Sequence, residues 1–150
     1  MPAVALAREI QMMQLSNHEN VVKLYDCFRT KDDVSLVLEL CKGNDLTSIV
    51  DKLQNPLGEV IVSNWMRQAL SAISYLHSIG IIHRDVKPAN FYLLEEQFDS
   101  QLKLGDFGLA MPYPTLIARN KQKDPNVPKL VREKVGTPAF MAPEMHKLPR

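Results

Sequence analysis

Cysteine is nearly absent. Cys27 and Cys41 are too few for a disulfide framework, so a reduced intracellular setting, the cytoplasm, is expected. No run approaches the ~18 apolar residues of a membrane helix. The opening MPAVALAR has no basic stretch ahead of its short apolar run, so it does not read as a signal peptide. An excess of one charge is missing as well. Eighteen Lys+Arg stand against 17 Asp+Glu, a net charge of +1, and no global field points to nucleic acid or a membrane. Glycine is scarce: six residues, at 43, 58, 80, 105, 108 and 136, of which no two stand two apart. A G-x-G-x-x-G loop of the kind that covers nucleotide phosphates is therefore not in these residues. What is present, 45% hydrophobic and 23% charged residues over 150 positions, is the composition and size of one globular domain.

Residues 4–15 carry Val4, Ala7, Ile10, Met13 and Leu15 at roughly helical spacing with no Gly or Pro inside. Val21–Phe28 and Val34–Leu40 follow as β-rich runs joined by a polar link, which predicts an antiparallel hairpin. Leu46, Ile49, Val50 and Leu53 predict a short amphipathic helix. From Glu59 to about Ser78 the positions Ile61, Trp65, Ala69, Ile73 and Leu76 predict the longest helix, with Gly80 placed to end it. Phe91–Leu94 and Leu102–Leu104 read as short strands. Seven of the ten prolines lie beyond residue 111, so the C-terminal quarter reads as mostly loop. Helices and strands alternate irregularly, which favours an α+β class over a doubly wound sheet.

The chemistry is concentrated in two segments, HRDVKPAN at 83–90 and DFG at 106–108. Asp85 can accept a proton from a hydroxyl nucleophile. Lys87, two residues on, can neutralise charge on a transferring phosphoryl group. Asn90 and Asp106 offer oxygens suited to Mg²⁺, a hard cation, and Gly108 lets the backbone turn sharply. Positioning, charge neutralisation and a metal are what phosphoryl transfer needs.

HRDVKPAN, the DFG sixteen residues after Asn90, and GTPAFMAPE at 136–144 together resemble the eukaryotic protein kinase signatures. Lys87 and Gly136-Thr137 resemble the serine/threonine class, and Asn90-Phe91 is similar to calcium/calmodulin-dependent and related kinases. The resemblance implies a two-lobed kinase fold cut at both ends, with an N-lobe remnant at 1–40 and a hinge and incomplete C-lobe at 41–150. It implies transfer of the γ-phosphate of Mg-ATP to protein Ser/Thr hydroxyls, with no nucleic-acid or membrane partner. Asp85, Lys87 and Asn90 would be catalytic, and Asn90 and Asp106 would hold Mg²⁺. Glu9 would be the helix glutamate that pairs with a strand lysine. Leu38 would be the gatekeeper, Glu39–Cys41 the adenine-binding hinge, and Asp45 a ribose contact. Arg84 would meet a phosphorylated activation loop, and Glu144 would anchor the end of that segment.

Rival readings stand beside several of these. Glu9 also fits a solvated helix carboxylate, and Asp45 a cap for the helix beginning near Leu46. Trp65 and Met12-Met13 fit packing positions, and His18, His77 and His146 structural or exposed ones. The first lysine is Lys23, so nothing upstream of Glu9 in these residues can play the strand lysine. The insert from Met111 to Val135 holds six Lys/Arg but no Ser, Thr or Tyr after Thr115, and it reads as a solvated loop that activating phosphorylation does not use. Without the glycine loop, the strand lysine and the later C-lobe helices, the expectation is a chain that is weak or inactive and folds poorly unaided. A non-catalytic, kinase-like binding module is the alternative.

Overall fold

The computed structural model describes residues 3–31, 33–113 and 134–147. The first helix, α1 (Ala3–Leu15), leads through a turn into an antiparallel hairpin of β1 (Leu24–Arg29) and β2 (Val34–Leu38). The hairpin is shorter than the sequence runs suggest. Val21 and Val22 leave it: Val21 bridges Leu104, and Val22 N–H donates to Leu104 C=O at 2.9 Å. That detour ties the N-terminal third to the strand that leads into the DFG segment.

After β2 come α2 (Leu46–Lys52) and α3 (Glu59–Ser78), the latter with the bounds its periodicity predicts. Gly80, at φ +74°, ends α3 in a left-handed conformation that glycine adopts without steric cost. One face of α3, Trp65, Gln68, Ala72 and Leu76, is buried. It packs on the hairpin of β4 (Phe91–Leu93) and β5 (Leu102–Leu104), whose register pairs Phe91 with Leu104 and Leu93 with Leu102. Gln68 Oε1 accepts from Asn20 Nδ2 at 2.9 Å and from Leu102 N–H at 2.8 Å. One buried amide thus joins α3, the turn after α1, and β5. The opposite face of α3 stays open, with Val60 at 82%, Leu70 at 60% and Met66 at 55% exposure.

Two short strands, β3 (Ile81–Ile82) and β6 (Met111–Pro112), form a third antiparallel pair that the sequence does not announce. A 3-10 turn at Pro88–Asn90 precedes β4, another lies at Pro138–Phe140, and α4 (Pro143–His146) follows. The core runs between these layers through Met12, Leu76, Ile81, Leu93, Leu102, Leu104 and Phe107, each under 2% exposed. Thr115, Asp124, Glu133 and the insert's basic residues other than Lys134 lie outside the described residues.

Candidate active site

The loop from Ile82 to Asn90 crosses between β3 and β4, and its anchor is His83. The ring is 3% exposed, meets Phe107 edge-on at 5.3 Å, and places Nε2 2.9 Å from Gly105 C=O. A carbonyl only accepts, so Nε2 carries the proton, and Nδ1 accepts from Asp85 N–H at 3.4 Å. Burial pushes the His83 pKa down, which keeps the ring neutral. His83 therefore fastens the Asp85 loop to the Gly105–Phe107 strand end.

Asp85, at 9% exposure, is enclosed by donors. Thr137 gives its N–H and its hydroxyl to Oδ1, each at 2.8 Å. Lys87 Nζ lies 2.7 Å from Oδ2 and donates to Thr137 Oγ1 at 2.9 Å. Burial alone would raise the Asp85 pKa. The hydrogen bonds from Lys87 and Thr137 outweigh it and hold the carboxyl below the usual range, so it is ionised at neutral pH. Lys87 is held charged by the same contact. Gly136, at φ +107°, lets Thr137 approach so closely. A side chain there would meet Arg84 C=O at 2.6 Å.

Asn90 is 3% exposed, and its amide hydrogens are engaged by Asp85 C=O at 2.8 Å and Oδ2 at 3.4 Å. That fixes the orientation of the amide. Among the described residues nothing donates to Asn90 Oδ1. A buried acceptor without a donor is costly unless a cation or water meets it. Asp106, exposed just after β5, accepts Gly108 N–H at 3.3 Å and no other donor among the described residues. These oxygens fit a hard divalent cation in chemical type. Arg84 and Asp106, with Asn44, are the non-glycine residues in left-handed conformation among those described. Such outliers persist where surrounding contacts over-determine them. Arg84 Nε donates to Leu109 C=O at 2.7 Å, across the loop that follows Asp106.

A cavity of about 350 Å³ opens between α1, the end of β2 and the β4–β5 hairpin. Five predicted residues line it together: Glu9, Leu38, Glu39, Cys41 and Asp106. A Cβ on Gly108 would lie 3.3 Å from Asp106 Oδ1 and 3.9 Å from Glu9 Oε2, so the two carboxylates flank one glycine. Burial, then the Asp106 charge, raises the Glu9 pKa. Glu39 N–H is engaged by Lys23 C=O at 2.8 Å, whereas Glu39 C=O and Cys41 N–H have no partner among the described residues. The chain edge facing the cavity thus offers one acceptor and one donor. Burial, then the Glu39 charge, pushes the Cys41 thiol up, which keeps it protonated.

Asp45 does not line this cavity. Its side chain caps α2, accepting Ser48 N–H at 2.9 Å, and bonding to Ser48 holds its carboxyl low. The cap reading describes its contacts. Glu144 is exposed in the first turn of α4. Trp65, Met12 and Met13 are core residues. His18 stacks on Tyr75 at 4.8 Å, and His77 and His146 are exposed. Four residues of the site escape the sequence reading as participants: Thr137, His83, Lys103 and Tyr92. Thr137 and His83 sit inside quoted motifs. Tyr92 and Lys103 are the polar centres of the apolar triplets Phe91–Leu93 and Leu102–Leu104, an alternation that marks a face turned away from the core.

The model of the protein kinase domain matches residues 3–148. The chain is 38% identical over 140 residues to CBL-interacting serine/threonine-protein kinase 2 of Arabidopsis thaliana, covering 93% of this chain and 28% of that protein. It is 36% identical over 140 residues to CBL-interacting protein kinase 15 of Oryza sativa subsp. japonica, covering 93% and 29%. The chain thus spans under a third of the length of these relatives. Among the described residues no helix is long and apolar enough to cross a membrane. With the family model running across nearly every residue from α1 to α4, the chain belongs to the protein kinase family.

Proposed function

We propose that this chain carries the catalytic centre of a serine/threonine protein kinase, which transfers the γ-phosphate of ATP to Ser/Thr hydroxyls of a protein substrate. The observation that carries the reading is the enclosure of Asp85 by Thr137 and Lys87, an ionised carboxylate with a cation at contact distance. Asp85 orients the substrate hydroxyl and takes its proton as the new O–P bond forms and the bond to the departing ADP breaks. Lys87 neutralises charge on the phosphoryl oxygens. Asn90 and Asp106 would hold Mg²⁺, which when bound screens the phosphate charges. Glu39 C=O and Cys41 N–H, which have no partner among the described residues, suit, beside Leu38, the edge of an adenine. Glu9 shares that cavity, and Asp45 would have to give up its capping bond to reach a ribose.

The contrasting reading is a binding module without catalysis, in which the cavity flanked by Glu9 and Asp106 holds a ligand and no phosphate is transferred. Two measurements separate the readings. Calorimetric titration of MgATP tests the cavity, and radiolabelled phosphate transfer with Asp85→Asn as control tests the chemistry. Transfer that vanishes in the variant supports the kinase; binding without transfer supports the module.

A further inference from the structure

The residues that bring Thr137 onto Asp85 are fastened from two directions. On one side Gly136 lies over Arg84 C=O, which an added Cβ would approach to 2.6 Å, and Thr137 gives Asp85 two hydrogen bonds. On the other, Lys134 Nζ donates to His146 C=O at 3.1 Å, twelve residues on. His146 is the last residue of α4, and the final carbonyls of a helix have no partner within it. A lysine side chain is a suitable donor for such a carbonyl. Val135, between the two anchors, lines a cavity with Ile82, Val86, Phe140 and Met145. Each of residues 134–137 therefore has a contact that holds it from outside the stretch.

The activation segment of a kinase is commonly fixed by a phosphate that pairs with arginine. From 116 to 136 the sequence has no Ser, Thr or Tyr, so no phosphate ester can form in the residues that lead into Thr137. The Thr137 hydroxyl is itself committed to Asp85 and Lys87. Fixing this stretch falls to a group the chain already carries, and Lys134 is a cationic side chain three residues before Thr137.

We infer that Lys134 is a positioning residue for phosphate transfer, whose tether to the end of α4 holds Gly136 and Thr137 on the Arg84–Asp85 loop without activating phosphorylation. The inference rests on the kinase reading above and adds how its Asp85 centre is kept assembled. Loss of one such hydrogen bond sets a change of about three- to tenfold.

The test follows amide hydrogen exchange and radiolabelled phosphate transfer in the purified chain, Lys134→Met and Lys134→Arg, each before and after phosphatase treatment. Lys134→Arg keeps a cationic donor, and its Thr137 amide is expected to be as protected as the parent's. In Lys134→Met that amide exchanges about three- to tenfold faster and transfer falls by a similar factor, while the amides of α3 keep parental rates. Phosphatase treatment changes none of these values. Parental protection of Thr137 in Lys134→Met overturns the inference, as does faster exchange that spreads over α3, the mark of general loosening. Equal losses in Lys134→Arg and Lys134→Met, or faster exchange with transfer unchanged, overturn the positioning role. A fall in the parent's protection or transfer after phosphatase overturns the independence from phosphorylation. If the parent transfers no phosphate, the kinase reading fails, and the exchange comparison still decides whether Lys134 holds Thr137.

Discussion

Thr137 gives both its backbone N–H and its hydroxyl to a single oxygen of Asp85, each at 2.8 Å, although 52 residues separate them. The GTP segment thereby closes over the HRD loop, and Lys87 completes the triangle. Replacing Thr137 by Val removes the hydroxyl bond and the acceptor for Lys87. Phosphate transfer is expected to fall about tenfold, and stability by about 1 kcal/mol. Asp85 has a depressed folded pKa, so its stabilisation is present above the unfolded value near 3.9 and is lost as pH falls through the folded one. The stability gap between Thr137→Val and parent, followed by urea unfolding, should therefore narrow below about pH 4.

Glu9 behaves in the opposite sense. Its folded pKa is raised, so the contribution of its protonated form is present below the unfolded value near 4.3 and is lost as pH rises through the folded one. Glu9→Gln should raise the melting temperature at pH 7 and have little effect near pH 4. A variant less stable than the parent at pH 7 would show that Glu9 has a favourable partner.

The Lys103–Glu39 pair predicts a cycle. Lys103→Met leaves Glu39, whose side chain is 15% exposed, largely buried and without its cation. Breaking such a pair from one side costs about 3 kcal/mol. Removing both charges, with Lys103→Met and Glu39→Leu together, should recover most of that loss. If the losses simply add in the double variant, the ion pair does not couple Glu39 to β5.

Gly43 is packed where a Cβ would overlap Glu95 C=O and the Leu93 side chain. Gly43→Ala must push the segment of residues 42–44 away from the end of β4. A loss of about 1–3 kcal/mol is expected, together with weaker nucleotide binding. Gly58 has nothing within 4 Å of an added Cβ, so Gly58→Ala serves as the neutral control.

Much of this was legible in the residues because it rests on local rules. The 3.6-residue period of Glu59–Ser78 and the glycine at 80 define α3, and Asp45 before Leu46 is a side-chain cap. The HRD and DFG segments carry their chemistry in residue type and spacing. What was not legible depends on pairing across distance. β3 and β6 are two residues each, too short for any period, and they exist through the bond network beneath Gly80 and Tyr113. Val21 and Val22 read as strand residues and are extended, but they turn to Leu104 instead of the hairpin. Thr137 was visible as a motif letter. That it holds Asp85 is a fact of tertiary closure that no local pattern encodes.

The central claim is that Asp85 serves phosphate transfer. It is tested most directly by transfer of radiolabelled γ-phosphate from ATP to a serine-rich protein acceptor with Mg²⁺ present. Losing one preorganised charged group at a reacting centre commonly costs about 10²–10³ in rate. The predicted result is Mg²⁺-dependent transfer, weak in this chain, that drops at least about 100-fold in Asp85→Asn, with MgATP affinity retained. Transfer of equal rate in parent and Asp85→Asn, or MgATP binding with no transfer by the parent, would contradict it.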